Sequence, residues 1–283
     1  MKFKKNIAIV DLMGGLGNQL FQICFAKYLE NNGVDVYLSE EWFHKNKQLS
    51  LLPKRKPIFD LNHFELKSMS TKNDLNFKLL EGVCNVSFFK KILNKKLFQQ
   101  FTGHNFLIND IKKYNKFWGY WHNFVFIENQ ELYLHNSLLK NKLYSEHLQD
   151  NSGKTLLHIR KSDYKIINET LPESYYLESL NIIKNSGGFN SYDIFIDEEN
   201  YDHQNKLFKN ASNVYCDINE EPIITFSKMM NYSNYVLANS TFSLFPAILS
   251  ENKASKIIYP QPWFLNQLYN SPVKSNWIPV KRN

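Results

Sequence analysis

From residue 155 onward, short apolar runs alternate with helix-forming stretches, and this rhythm constrains the fold more than any other feature. Strand-like runs lie at 155–159, 192–196, 213–216, 235–238 and 256–259, with helical segments at 174–185, 199–209, 221–231 and 242–251 between them. Strands linked through helices pair in parallel and need helices on both faces of the sheet. Right-handed crossovers then gather the C-terminal strand ends on one edge, the edge at which such sheets bind ligands.

The N-terminal part opens as a shorter β-α-β unit. An apolar strand at 7–12 runs into Gly14-Gly15-Leu16-Gly17, an apolar helix covers 18–32, Gly33 stops it, and a strand follows at 34–38. A helix is expected over 128–143, while residues 40–110 show no clear pattern. The polar stretch Asp150-Asn151-Ser152-Gly153 marks the expected division, with an N-terminal α/β domain at 1–150 and a C-terminal one at 151–283.

Three segments carry chemistry. In Gly14-Gly15-Leu16-Gly17-Asn18-Gln19, glycines between strand and helix let backbone N–H groups approach an anion. A tight turn without ligand explains them equally well. A dinucleotide fingerprint would place a third glycine where Leu20 stands. In His158-Ile159-Arg160-Lys161-Ser162-Asp163-Tyr164, His158 and Arg160 share one face of a strand end. Arg160 suits a diphosphate through paired donors, or forms a structural pair with Asp163. In Asn239-Ser240-Thr241, the hydroxyls either cap the following helix or present donors to a phosphate. Asp197 and Glu198, following the 192–196 strand on the same edge, either accept from guanine or stabilise the next helix. The aromatic cluster Phe117-Trp118-Gly119-Tyr120-Trp121 reads as core or as a sugar-stacking surface.

Composition excludes several classes. With 43% hydrophobic and 22% charged residues the chain is globular. A net charge of +7 favours anionic partners, yet the Lys-rich stretches at 54–56 and 90–96 are short and lack interleaved aromatics, so nucleic-acid binding is not expected. Peripheral contact with anionic lipid fits the charge as well. Cys24, Cys84 and Cys216 have neither disulfide nor metal-ligand spacing, and Cys24 and Cys216 read as packed core thiols. The N-terminal apolar stretch carries Asp11 and lacks a cleavage signal, which makes a cytoplasmic location the expectation. No Asp-x-Asp occurs, so no metal or other cofactor is expected.

The three segments, in this order, resemble glycosyltransferase family 11, the α-1,2-fucosyltransferases. There Gly-Gly-Leu-Gly-Asn-Gln-Leu-Phe-Gln, His-x-Arg-x-x-Asp-Tyr and Asn-Ser-Thr-Phe-Ser recur as here at 14–22, 158–164 and 239–243. Gly119-Tyr120-Trp121 and Tyr259-Pro260-Gln261-Pro262-Trp263-Phe264 also match family landmarks. The chain departs at Ser162, where the family has glycine, and at Phe195-Ile196-Asp197-Glu198, where it often has Phe-Ser-Asp-Asp.

The resemblance implies a GT-B fold of two facing Rossmann-like domains and inverting transfer from GDP-fucose to the 2-hydroxyl of a terminal galactose. The acceptor would be an oligosaccharide of O-antigen or surface polysaccharide, on a lipid carrier at the inner face of the plasma membrane. By the same analogy Arg160, Ser240 and Thr241 hold the diphosphate with Asn239 beside them, and Gly15, Gly17, Asn18 and Gln19 contribute from the other domain. His158 lies against the nucleotide sugar, and Asp197 or Glu198 reads guanine. Apart from the resemblance, the acceptor hydroxyl must lose a proton as it attacks, and Asp163, Glu169, Glu173 or the leaving phosphate itself could take it. The alternatives are another fucosyl linkage and a nucleotide-dependent oxidoreductase or epimerase.

Overall fold

The structure, a computed structural model, describes residues 7–44, 54–69, 116–187, 190–216, 219–250, 256–265 and 272–282. Most of 40–110, with Cys84 and the lysines at 90–96, lies outside the described residues. Two compact units divide at Gln130/Glu131. The expected division at 150 falls later, because the helices over 131–146 pack within the second unit.

The first unit holds a parallel sheet of strands β1 (Ile7–Asp11), β2 (Asp35–Ser39), β3 (Lys67–Met69) and β4 (Lys116–Phe117), in the order β3-β2-β1-β4. Helix α1 (Leu16–Asn31) joins β1 to β2, and a short α2 (Glu41–His44) follows. Helix α1 buries residues around most of its circumference, including Leu20, Phe21, Ile23, Phe25 and Leu29. Gly33, at φ +82°, ends it, and the Val34 N–H returns to Leu29 O at 3.2 Å. Phe25 stacks on Trp121, their centroids 3.9 Å apart and planes 7° from parallel. The aromatic cluster is therefore core at Phe117 and Trp121, with only Tyr120 largely exposed.

The second unit begins with α3 (Glu131–Leu139) and α4 (Lys142–Glu146), where a single helix was expected. Asn141 interrupts it, since its side chain accepts from Tyr144 N–H and restarts the helix. Helix α4 is tied in by the Ser227 hydroxyl, which donates to Tyr144 O at 2.5 Å.

The sheet comprises β5 (Asn151–Ile159), β6 (Ser191–Ile196), β7 (Asn213–Tyr215), β8 (Tyr232–Val236), β9 (Lys256–Gln261) and β10 (Ile278–Lys281), all parallel in the order β10-β9-β8-β5-β6-β7. Its helices are α5 (Ser162–Ile166), α6 (Glu173–Asn185), α7 (Lys206–Lys209), α8 (Pro222–Lys228) and α9 (Thr241–Leu249). The helix expected over 199–209 shortens to α7, begun where Asn205 caps Leu207 N–H. Strand β10 adds to the five expected strands. Leu157, Ile159, Tyr175, Ile183, Ile194, Val236 and Ile258 form the core, with Cys216 partly buried against it. Among the described residues, no helix is long and apolar enough to cross a membrane.

Candidate active site

The strand order of the second sheet is that of a doubly wound nucleotide-binding fold. The chain leaves β5 toward β6 and β7, then returns to lay β8 on the other flank of β5. In such sheets the ligand crevice lies where the order reverses, outside the C-terminal strand ends, which here are those of β5 and β8. His158 and Arg160 stand at the end of β5, and Asn239-Ser240-Thr241 follows β8. Two of the three sequence motifs thus flank one switch point. The Tyr164 hydroxyl links them, donating to Asn239 O at 2.9 Å.

Arg160 is held by two carboxylates, Nη2 at 2.7 Å from Asp163 and Nη1 at 2.8 Å from Asp197. Its Cζ lies 5.5 Å from the centre of the Tyr164 ring. Asp197 also accepts from Lys161 N–H at 2.6 Å and from the Ser162 hydroxyl at 2.6 Å. Burial alone would raise the Asp197 pKa, but Arg160 and these hydrogen bonds hold it below the usual carboxylate value.

Asp197 thus bonds to the β5–α5 turn, and Glu198 pairs with Lys165 of α5. Both carboxylates, expected to read guanine, are engaged by partners of their own unit. The reason is local: the turn after β5 presents N–H groups and cations directly to the strand end of β6.

His158 is buried, and burial with the nearby Arg160 guanidinium lowers its pKa to about 3. It is neutral at working pH. Its Nδ1 and the Nε of Arg160 are both buried with no hydrogen-bond partner. Buried polar atoms ordinarily have partners, and each unmet one costs about 1–3 kcal/mol.

Ser240 caps α9, accepting from Phe242 N–H at 3.3 Å, and Thr241 beside it is half-buried. Asn239 is fully buried, and its Nδ2 donates to Glu169 O at 2.9 Å. Glu169, expected as a candidate base, is also buried and pairs with Arg282 Nη1 at 2.6 Å. Its other oxygen accepts from Leu265 N–H at 2.9 Å. Arg282 further donates to Trp263 O at 3.0 Å. This pair binds the loop after α5, the Asn239 turn and β10 together, and sequence spacing gave no sign of it. Glu173 accepts from Asn205 at 2.7 Å on the surface, which leaves Asp163 as the motif carboxylate beside Arg160.

The first unit repeats the topology on a smaller scale. Its order also reverses at β1, whose C-terminal end meets that of β4. The glycine turn follows β1, and Gly119-Tyr120-Trp121-His122 follows β4. Gly14 has φ +75°, and a β-carbon there would lie 2.6 Å from Asn18 Nδ2, so only glycine fits. Asn18 Oδ1 meets His122 Nε2 at 2.9 Å, and Tyr120 stacks on His122. Burial lowers the His122 pKa to about 4.

Gln22 fastens the two strand ends, accepting from Met13 N–H and donating to Gly119 O, each at 2.9 Å. Gly15 is half-buried at the start of α1, whereas Gly17 is buried in its first turn. Gln19 is fully buried with its amide bonded to backbone groups.

The chain is 25% identical to the O-antigen biosynthesis glycosyltransferase WbnK of Escherichia coli, covering 94% of this chain and 98% of that protein. It is 25% identical to an alpha-1,2-colitosyltransferase of Escherichia coli, covering 98% and 100%. Fucosyltransferase NodZ from Bradyrhizobium superposes at a TM-score of 0.44 with 12% identity, over 90% of this chain and 94% of that one. A glycosyl transferase family 9 structure from Veillonella parvula superposes at 0.40, also with 12% identity, over 99% and 87%. The profile of Glycosyl transferase family 11 matches residues 7–281. With nearly its whole length matched, the chain belongs to glycosyl transferase family 11.

Proposed function

We propose that this glycosyltransferase is a GT-B enzyme that moves L-fucose from GDP-fucose to the 2-hydroxyl of a terminal galactose, with inversion and without a metal. The observation that carries the reading is the pair of unmet buried atoms, Arg160 Nε and His158 Nδ1, at the switch point of the second sheet. A polar ligand seated there completes both. Arg160 has committed one N–H at each terminal nitrogen to Asp163 and Asp197, so its Nε–H and the other η N–H groups remain as donors. Two carboxylates hold that fork rigidly, and rigid donors stabilise charge without reorganising during the reaction.

In the proposed step the acceptor oxygen attacks C1 of fucose as the C1–O bond to the diphosphate breaks. GDP leaves with the electron pair, facing Arg160 and the start of α9 at Ser240 and Thr241. Asp163 takes the acceptor proton, since Glu169 is buried in its pair with Arg282. Asn18 and Gly15 stand at the glycine turn of the first unit, which is proposed as a second substrate-binding element.

The acceptor is proposed to be a galactose-terminated oligosaccharide of O-antigen or surface polysaccharide, presented on a lipid carrier. The net charge of +7 supports peripheral contact with the cytoplasmic face of an anionic membrane. Liposome binding that survives high salt would contradict an electrostatic contact. A second reading, transfer of colitose, is favoured by the relative named for that activity at the same identity as WbnK.

The test is incubation with GDP-fucose and a panel of β-galactosides in EDTA, followed by linkage analysis. An α-1,2-linked fucoside is the expected product. Another linkage corrects the acceptor position, and no transfer from GDP-fucose alongside transfer from a colitosyl donor favours the second reading.

A further inference from the structure

The chain contains only three arginines against 31 lysines. Where lysine is the default cation, an arginine marks a position at which a planar fork of donors does what a compact ammonium does not. Arg282 is one such place, its guanidinium shared between Glu169 and Trp263 O. Arg160 is another, forked between Asp163 and Asp197. Arg55 is the third.

Arg55 is the middle residue of Lys54-Arg55-Lys56, a stretch that forms neither helix nor strand. Lys54 and Lys56 are exposed while Arg55 is turned inward and half-buried, the alternation of an extended chain. Its guanidinium lies against the glycine turn: a β-carbon on Gly15 would be 3.8 Å from Nη1 and 3.9 Å from Cζ. Gln19 places it there. The Gln19 amide donates to Gly14 O at 3.1 Å and Lys56 O at 3.0 Å, and accepts from Ile58 N–H at 3.0 Å. The motif glutamine thus spends its whole amide on fixing the segment that carries Arg55 to the segment that carries the glycines.

We propose that Arg55 binds a substrate phosphate, its guanidinium presented at the glycine turn by Gln19 acting as a positioning residue. The shared chemistry is a phosphate ester, supplied by the donor's diphosphate or by the diphosphate of a lipid-linked acceptor. A paired-donor fork suits either. The inference rests on the transferase reading above, and part of its test is independent of donor identity.

Titration of inorganic diphosphate into wild type, Arg55→Ala and Arg55→Lys is that part. A charge-assisted contact predicts Kd weakened about 10- to 100-fold in Arg55→Ala. Arg55→Lys is expected to recover little of it, and to keep the wild-type Tm. An unchanged Kd in Arg55→Ala overturns the proposal, as does full recovery in Arg55→Lys.

Kinetics then identify the source. A raised donor KM or reduced kcat with a phosphate-free galactoside assigns the donor. An effect confined to a diphosphate-linked acceptor assigns the acceptor. Wild-type kinetics with both acceptors overturn the proposal. Restoration of Arg55→Ala by added guanidinium supports direct contact, whereas a purely structural role would appear as a lowered Tm with wild-type turnover in the folded fraction. An inactive wild type would count against the fucosyl reading alone, because the diphosphate titration still decides Arg55.

Discussion

Residue chemistry at the second sheet is organised around two guanidinium–carboxylate clusters with different tasks. Arg160 stands at the end of β5 with its Nε buried and unpartnered, whereas Arg282 is enclosed with its acceptors in place. Their substitutions should therefore separate function from stability. Arg160→Ala should lower kcat by about 100- to 1000-fold, the usual effect of removing one transition-state donor, with a modest change in Tm. Steady-state assays beside a melting curve check this. Arg282→Met leaves Glu169 charged, buried and unpaired, and should cost about 3–5 kcal/mol in a urea titration. Asp163→Asn should lower kcat without weakening GDP binding if this carboxylate takes the acceptor proton. A wild-type kcat in that variant removes Asp163 from the mechanism.

Among the elements, strand ends and the turns after them carry the site. His158 on β5 and His122 after β4 are both kept neutral by burial, at pKa values of about 3 and 4. The unfolded chain protonates these imidazoles near pH 6.5, and the folded chain resists until lower pH. Stability is therefore complete above pH 6.5 and falls as the pH drops toward 4. Asp197 acts in the same direction at the acid end, its depressed pKa stabilising the fold until it is protonated. Urea midpoints at pH 7 and pH 4.5 test this, and a midpoint that holds or rises in acid contradicts it. His158→Gln should flatten the fall.

Most of this framework was legible in sequence. The apolar runs located β5, β6, β7, β8 and β9 because buried parallel strands leave a continuous hydrophobic signal. Strands β3, β4 and β10 escaped because two or three residues, or an alternation containing Pro279, leave none. The motif positions were legible too, but not the direction each side chain takes. Gln19 and Asn239 read as ligand contacts, and their amides also hold loops through partners far away in sequence. Lys56 O and Glu169 O are such partners.

Across the whole molecule, each of the two units carries its own parallel sheet and its own switch point, with the glycine turn at one and Arg160 and Asn239-Ser240-Thr241 at the other. The sheet of the second unit has the strand order of nucleotide-binding folds, so nucleotide recognition is expected to belong to it. A thermal-shift screen with GDP, UDP and NAD should show stabilisation by GDP alone. An effect of NAD without GDP would instead favour the oxidoreductase or epimerase alternative. The central claim, that fixed donors at the β5–β8 crevice hold the diphosphate without a cation, is tested most directly by calorimetric titration of GDP in EDTA against wild type and Arg160→Ala. The account predicts saturable binding in EDTA that Arg160→Ala weakens by at least about tenfold, the effect of losing a charge-assisted contact. Binding that requires added manganese, or that is the same in both proteins, would contradict it.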